Sequence, residues 1–344
     1  LPDLDHAVDT TPALPNTIGQ MKKPFHAAGQ EISTSAAMGV TVFPQDGTSF
    51  ENLLKKADMA MYQAKDDGRN TYRFFDETMN VAAGEHRVIR KRLRRAVDRH
   101  EFVLHYQPQI DLASGAVVGV EALIRWAHPD LGMVAPSRFI AVAEESGLIV
   151  PIGDWVLGEA CRQAVAWQRA GLPELTMAVN LSAVQFKRGN VEQSVRQALE
   201  KTGFNPALLE LELTESILIQ NVESVLASVK RIKLLGVKIS IDDFGTGYSS
   251  LSYLKRFDID KLKIDQSFVR DLATDPDDAA IVRAIIQMAR SLNLRTIAEG
   301  VETVEMLHQL RVFQCDEAQG YHFARPMPAD EFAAYLRTKI ASAT

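Results

Sequence analysis

The chain has 344 residues, 46% of them apolar and 24% charged, with a formal net charge of −6. That length exceeds a single core of about 250 residues and predicts two domains, while no stretch approaches the roughly 18 unbroken apolar residues of a membrane span. The acidic balance excludes a large footprint on polymeric nucleic acid, which needs clustered Lys and Arg, and Cys161 and Cys315 offer neither a disulfide framework nor a metal spacing.

No signal-peptide pattern opens the sequence, so a reducing cytosol is the expected location, with no membrane contact inside this segment and a membrane anchor further upstream left open. Residues 31–43 (EISTSAAMGVTVF) and 71–75 (TYRFF) read as strands. Between them Leu53, Leu54, Ala57, Met61 and Tyr62 share one face of a helix running from Ser49 to about Ala64. Together these predict an α+β fragment, its helix ended by the turn cluster Asp66-Asp67-Gly68-Arg69-Asn70. After Asp76 the pattern lapses until the basic run 87–99 (RVIRKRLRRAVDR), which places a boundary near 78. Ile89, Leu93, Ala96 and Val97 recur there at helical spacing. Residues 78–100 are therefore read as a solvated linker helix with a cationic face, in preference to a membrane or nucleic-acid contact.

From 101 to 344 the chain alternates. Strand-like runs appear at 102–111, 117–126, 175–181, 208–214, 237–242, 259–265, 294–299 and 312–316, the count a closed barrel needs. Amphipathic helical stretches at 151–170, 191–202, 222–235 and 277–292 supply the βα rhythm of a parallel sheet. The first two runs are joined only by the turn at Ala113-Ser114-Gly115, too short for a parallel crossover, so they form an antiparallel hairpin. The fold expected is an α/β (β/α)8 TIM-like barrel with an antiparallel first strand, preceded by a partial α+β fragment.

Active sites of such barrels lie at the carboxyl-terminal strand ends. Polar residues gather there: Glu121 and Arg125, Asn180, Glu212, Asp242-Asp243, Lys263 and Asp265, Glu299, and Gln319 after the last run. Strand parity puts Glu121, Leu123 and Arg125 on one face, and turns Leu262 and Ile264 toward the helices while Lys261, Lys263 and Asp265 face the interior. Asp242 and Asp243 are adjacent, so both reach one site only if the strand stops at Asp242 and the loop turns; Ser249 or Ser250 would cap the next helix. Five acids in one pocket repel by about 4 kcal/mol per close pair at an effective dielectric near 20, and so require protons or cations. Carboxylates with the Asn180 amide oxygen are hard ligands that select Mg²⁺ or Mn²⁺ over zinc, and two ions are expected.

The surrounding motifs are YQP (106–108), EALIRW (121–126), VNLSAVQF (179–186), ELTES (212–216), DDFGTGYSSL (242–251), KLKIDQSFV (261–269), AEGVET (298–303) and QGYHFARPMP (319–328). In this order, from about residue 88 to 340, they resemble the EAL cyclic di-GMP phosphodiesterases. The resemblance implies cyclic di-GMP as substrate and linear pGpG as product. It makes Glu121, Asn180, Glu212 and Asp242 ligands of a first metal, with Asp242, Asp243 and Glu299 around a second. Lys263 would hold the attacking water, Glu299 would help deprotonate it, and Gln107, Leu123, Arg125, Asp265 and Gln319 would contact substrate. Glu215, of opposite parity to Glu212, would anchor the 243–250 loop, through which the family suggests homodimers form at the barrel top. Residues 1–77 resemble the later half of a GGDEF diguanylate cyclase domain through AMGVTVFP, ADMAMYQAKDDGRN and YRFF; the Gly-Gly-Asp/Glu-Glu-Phe hairpin is absent, so this piece is expected not to synthesise the dinucleotide, and the opening LPDLDHAVD reads as truncated.

Two rivals are weighed. Asp243-Phe244-Gly245 invites comparison with the kinase metal loop, but no Gly-rich phosphate loop or His-Arg-Asp segment accompanies it. A non-catalytic dinucleotide receptor would be expected to have lost metal ligands, and the set here is intact. His105, His308 and His322 are read as packing or surface histidines.

Overall fold

A computed structural model of the chain describes residues 13–21, 25–27, 30–32, 36–66, 70–215, 217, 222–245, 254 and 256–343. They fall into two units, Leu1–Lys91 and Arg92–Thr344. The first holds α1 (Ala13–Met21), the antiparallel pair β1 (Phe25–Ala27) and β2 (Gln30–Ile32), then β3 (Ala37–Val40), α2 (Phe50–Asp66) and β4 (Thr71–Phe74). Strands β3 and β4 pair in parallel, the crossover between them being α2. Ala60 and Ala64 bury the inner face of that helix. Gly39 lets β3 approach it closely, since a Cβ there would fall 1.9 Å from the Ala57 carbonyl oxygen. Residues 33–35 of the first expected strand and most of the 66–70 turn lie outside the described residues.

The lapse expected after Asp76 is not found. Helix α3 (Glu77–Ala96) begins at once, with the Asp76 carboxylate accepting the Thr78 N–H at 2.8 Å. An aspartate just ahead of a helix satisfies one of its orphan donors, and the sequence from 77 to 86 lacks the apolar repeat that would have announced it. Further along α3, Ile89, Leu93 and Ala96 are buried and Arg90, Lys91, Arg94 and Arg95 are exposed.

The second unit runs β5 (Phe102–Asp111), β6 (Val117–His128), β7 (Gly132–Val134), α4 (Pro136–Ser146), α5 (Ile149–Arg169), β8 (Thr176–Leu181), α6 (Ala183–Arg188), α7 (Val191–Thr202), β9 (Leu209–Thr214), α8 (Val222–Lys233), β10 (Lys238–Phe244), β11 (Lys261–Ile264), α9 (Gln266–Arg270), α10 (Pro276–Ser291), β12 (Arg295–Ala298), α11 (Val304–Val312), β13 (Glu317–Ala318) and α12 (Ala329–Ala343). The sheet order β5-β13-β12-β11-β10-β9-β8-β6, with β6 pairing back onto β5, closes an eight-stranded barrel. Strand β5 is antiparallel to both neighbours, and the remaining barrel contacts are parallel. The eighth strand is the exception to the expected positions. Thr303 caps α11, which runs through Val312, and only Glu317–Ala318 pair, because Asp111 and Ile110 of β5 present their edge there.

Alternation along the strands sorts the side chains. Leu209, Leu211 and Leu213, Ile239 and Ile241, and Leu262 and Ile264 are fully buried between strands and helices. The opposite positions face the barrel axis, where branched aliphatics ordinarily fill layers drawn from alternate strands. Here two of the layers are centred on charged side chains. Lys261 of β11 meets Glu210 of β9 and Glu317 of β13, and Lys263, one layer up, meets Glu212 of β9. Around β5, Tyr106 packs on Trp167 with centroids 4.7 Å apart, and Phe102, Trp126, Phe139 and Trp155 cluster nearby. Among the described residues no helix is long and apolar enough to cross a membrane.

Candidate active site

The site forms where β6, β8, β9, β10, β11 and β12 end. Glu121 projects from the middle of β6, and Asn180 lies near the end of β8. Just beyond, Ser182 caps α6 in a capping box with Gln185 and donates from Oγ to Glu144 Oε1 at 2.5 Å. The VNLSAVQF run therefore ends a strand, exposes one amide and starts a helix within a few residues.

Lys263 is the hub. Its ammonium is 1% exposed and lies 2.7 Å from Glu212 Oε2, 2.7 Å from Glu299 Oε1, 3.0 Å from Asp242 Oδ1 and 3.8 Å from Glu121 Oε1. Three carboxylates thus take its three N–H groups, and it acts first as a counter-ion to the acids rather than as a free donor to water. Burial opposes its charge, but Glu121, Glu212, Glu299 and Asp242 hold its pKa well above the ordinary lysine value.

The acids respond individually. Burial works to raise Glu121, yet Lys263 and the hydrogen bonds from Gln319 and Asn180 outweigh it and hold the carboxyl below its usual value. Those bonds are Asn180 Nδ2 to Oε1 at 2.6 Å and a very short contact from Gln319 Nε2 to Oε2. Glu212 is pushed well up, by burial first and then by the neighbouring Glu121 charge. Burial lifts Glu299 to about 8 against the pull of Lys263. Asp243 rises to about 6 through burial and then the charges of Asp242 and Asp265.

Both aspartates reach the site, but not because the strand stops. Strand β10 continues to Phe244, and its register against β11 slips between Ile241 and Phe244. At the slip Asp243 has φ +54°, a left-handed conformation that Asp tolerates better than most residues. This β-bulge re-aims one side chain, so one carboxylate oxygen each of Asp242, Asp243 and Glu299 lies within 4.8 Å of the others.

The remaining expected residues separate. Gln107 accepts from Gln319 Nε2 at 3.0 Å and donates to the Ala324 carbonyl at 3.1 Å, so it braces the Glu121 side of the cavity. Leu123 lines that cavity, of about 270 Å³, with Glu121, Asp242, Glu299 and Gln319. Arg125 is half-buried and donates to the Ile124 carbonyl. Asp265 does not line the cavity; it caps α9 by accepting the Ser267 N–H at 2.9 Å and sits beside Asp243. Glu215 Oε2 accepts the Gly245 N–H at 3.1 Å. The 246–250 segment, with the expected serine cap and dimer loop, lies outside the described residues.

Sequence reading did not single out Gln266, Glu302 or Tyr321, which also line the cavity. They belong to the quoted motifs but follow the strands, where parity gives no direction. Tyr321 is half exposed and carries the Arg325 guanidinium 4.1 Å above its ring. Gly320 holds this turn against the backbone of Val301, where a Cβ would meet the carbonyl oxygen at 2.1 Å. A larger cavity of about 370 Å³, lined by Ala183, Phe186, Lys187, Ile217, Ser224 and Val225, has no carboxylate among the described residues that line it.

Fold and site together define a TIM-type barrel with a carboxylate-lined cavity at its mouth, whose Asp242, Asp243 and Glu299 could hold a cation. The EAL domain family matches residues 90–326, and the diguanylate cyclase GGDEF domain family matches residues 1–71. The chain is 45% identical over 317 residues to the bifunctional diguanylate cyclase/cyclic di-GMP phosphodiesterase MucR of Pseudomonas aeruginosa, an alignment covering 92% of this chain and 46% of MucR. It is 41% identical over 318 residues to the cyclic di-GMP phosphodiesterase PdeR of Escherichia coli, covering 92% of this chain and 48% of PdeR. The solved PaMucR phosphodiesterase in complex with c-di-GMP matches with a TM-score of 0.69 at 48% identity, covering 71% of this chain and 99% of that one. The chain therefore belongs to the EAL family, with a GGDEF region ahead of the barrel. It spans less than half the length of these two curated relatives.

Proposed function

We propose that the barrel hydrolyses cyclic di-GMP to linear pGpG with two divalent cations, Mg²⁺ or Mn²⁺. The observation that carries this reading is the ring of acids around Lys263. Glu121, Glu212, Asp242, Asp243 and Glu299, when ionised, exceed that one ammonium by four charges, which two divalent ions neutralise. The donor set fits such ions. All donors are hard oxygens, Asn180 spends its amide N–H on Glu121 and keeps its carbonyl oxygen, and Glu212 Oε1 has no hydrogen-bond partner among the described residues.

Glu121, Asn180, Glu212 and Asp242 would hold the first ion, and Asp242, Asp243 and Glu299 the second. When bound, a pair of divalent ions activates a water and stabilises charge on both oxygens of an in-line displacement at phosphorus. Lys263 keeps the carboxylates together by shared hydrogen bonds. Glu299, held at Oε1 by Lys263, would take up the proton that the attacking water gives up. Gln107 and Gln319 fix the Glu121 rotamer, and Arg125 offers the dinucleotide a cation at the rim. Glu215 ties the start of the following loop to β9.

Purified protein incubated with cyclic di-GMP and Mg²⁺ or Mn²⁺, with pGpG followed by chromatography, tests the reading. Hydrolysis that a chelator abolishes is expected. Glu121→Ala should lower the rate by more than the roughly 10–100-fold that losing an outer partner of a metal site costs. Tight binding without turnover would instead assign the barrel as a receptor.

A further inference from the structure

Below the acid ring the barrel axis carries polar groups that the phosphodiesterase reading leaves unused. Lys261 Nζ lies 2.9 Å from Glu210 Oε2 and 2.8 Å from Glu317 Oε2, and Arg295 meets the other Glu317 oxygen at 3.3 Å. This lower tier is balanced in charge. Between it and the Lys263 tier the axis-facing positions belong to Gln109 of β5, Gly119 of β6, Ala178 of β8, Ser240 of β10 and Ile297 of β12, by parity with Gln107, Glu121, Asn180, Asp242 and Glu299. Three of these five are small, and Ile297 is the one aliphatic of any size among them.

Gln109 and Ser240 are fully buried. Neither amide atom of Gln109, nor Ser240 Oγ, nor Glu210 Oε1 has a hydrogen-bond partner among the described residues. A bare buried polar group is destabilising by about 1–3 kcal/mol, and folded proteins keep few of them. The Gln109 amide lies over Gly119, where a Cβ would fall 2.6 Å from its Oε1. The missing side chain of Gly119 is thus what makes room for the Gln109 amide itself. Its Nε2 and the Ser240 hydroxyl are donors, while its Oε1 and Glu210 Oε1 are acceptors, the complement of a water that both donates and accepts.

We propose that the barrel axis between the two lysine tiers is a binding site for ordered water, held by Gln109, Ser240 and Glu210. The ammonium groups of Lys261 and Lys263 below and above favour a neutral occupant over a monovalent cation. The water stands beside Ile297 in the layer that aliphatic side chains ordinarily fill, and ties β5 to β9 and β10 across the axis.

A high-resolution crystal structure of the whole chain is expected to show at least one water within about 3 Å of two or more of Gln109, Ser240 and Glu210. A bound monovalent cation there, or Gln109 and Ser240 bonded to protein groups with no solvent between them, overturns the proposal. Thermal unfolding of the double variant Gln109→Met, Ser240→Ala gives an independent reading. Removing two partners of a bound water while Glu210 remains should lower Tm by about 2–4 °C. An unchanged or raised Tm, the result for bare groups replaced by apolar ones, rejects it.

Discussion

At the scale of single residues, one buried ammonium governs the site. Lys263→Met would leave the carboxylates it bridges uncompensated, a loss of about 3–5 kcal/mol for a buried ion pair broken on one side. The metal-free variant should melt well below the unaltered protein, and Mg²⁺ should recover more of its Tm than it adds to the parent; equal shifts would show that the acids do not depend on Lys263. The pH response follows from two raised carboxyls. Glu299 at about 8 and Asp243 at about 6 hold protons in the folded state that the unfolded chain releases at the ordinary values of 4.5 and 3.8. Stability from this source is complete below those ordinary values and is lost as pH climbs through 6 and 8. Divalent ions displace the same protons and so bind more tightly at the upper end. The Tm gain on adding Mg²⁺ is therefore expected to be larger near pH 8.5 than near pH 6, and thermal melts at about those two values check it. Glu121, Glu212, Lys263 and Glu299 were legible in the sequence because strand parity turns a residue pattern into a direction. Glu210 obeys the same parity, two residues before Glu212, and only the contact with Lys261 exposes it. Asp265 shares the parity of Lys263 yet caps a helix, because the strand ends at Ile264 and alternation ends with it.

At the scale of elements, the acids depend on a local irregularity in β10. Two adjacent aspartates cannot face one way on a regular strand, so the sequence announced a break without saying which kind. A stop and a bulge look alike in one dimension. The bulge makes a distinct prediction, because Asp243 sits at φ +54°. Asp243→Asn keeps a residue that accepts this conformation and removes a charge that burial and Asp242 oppose. At about pH 7.5 it should therefore melt no lower than the parent while losing activity. Asp243→Val forces a β-branched residue into the left-handed region, a penalty of about 1–2 kcal/mol, and should lower Tm as well. Melting curves of the two variants separate backbone from charge; equal Tm values would mean that the bulge is not strained. The two-residue β13 was the least legible strand, since so short a pairing has no period to read. Helix α3 was half legible, its apolar repeat beginning only at Ile89.

At the scale of the whole molecule, the division at Lys91/Arg92 falls inside one continuous helix. A fragment from Glu77 onward keeps that helix intact. It is expected to unfold in a single transition and to hydrolyse cyclic di-GMP at the rate of the whole chain; a much slower fragment would assign residues 1–76 a part in catalysis. Reversal of β5 also sets the direction from which the barrel is threaded. Where a first strand runs parallel to the rest, the polypeptide starts on the face opposite the chemistry. Here it starts at Phe102 on the catalytic rim and reaches Gln107 five residues later. The glutamine that braces Glu121 is thus set by the first strand of barrel wall the chain builds, and only Val97–Glu101 separate that strand from the helix before it.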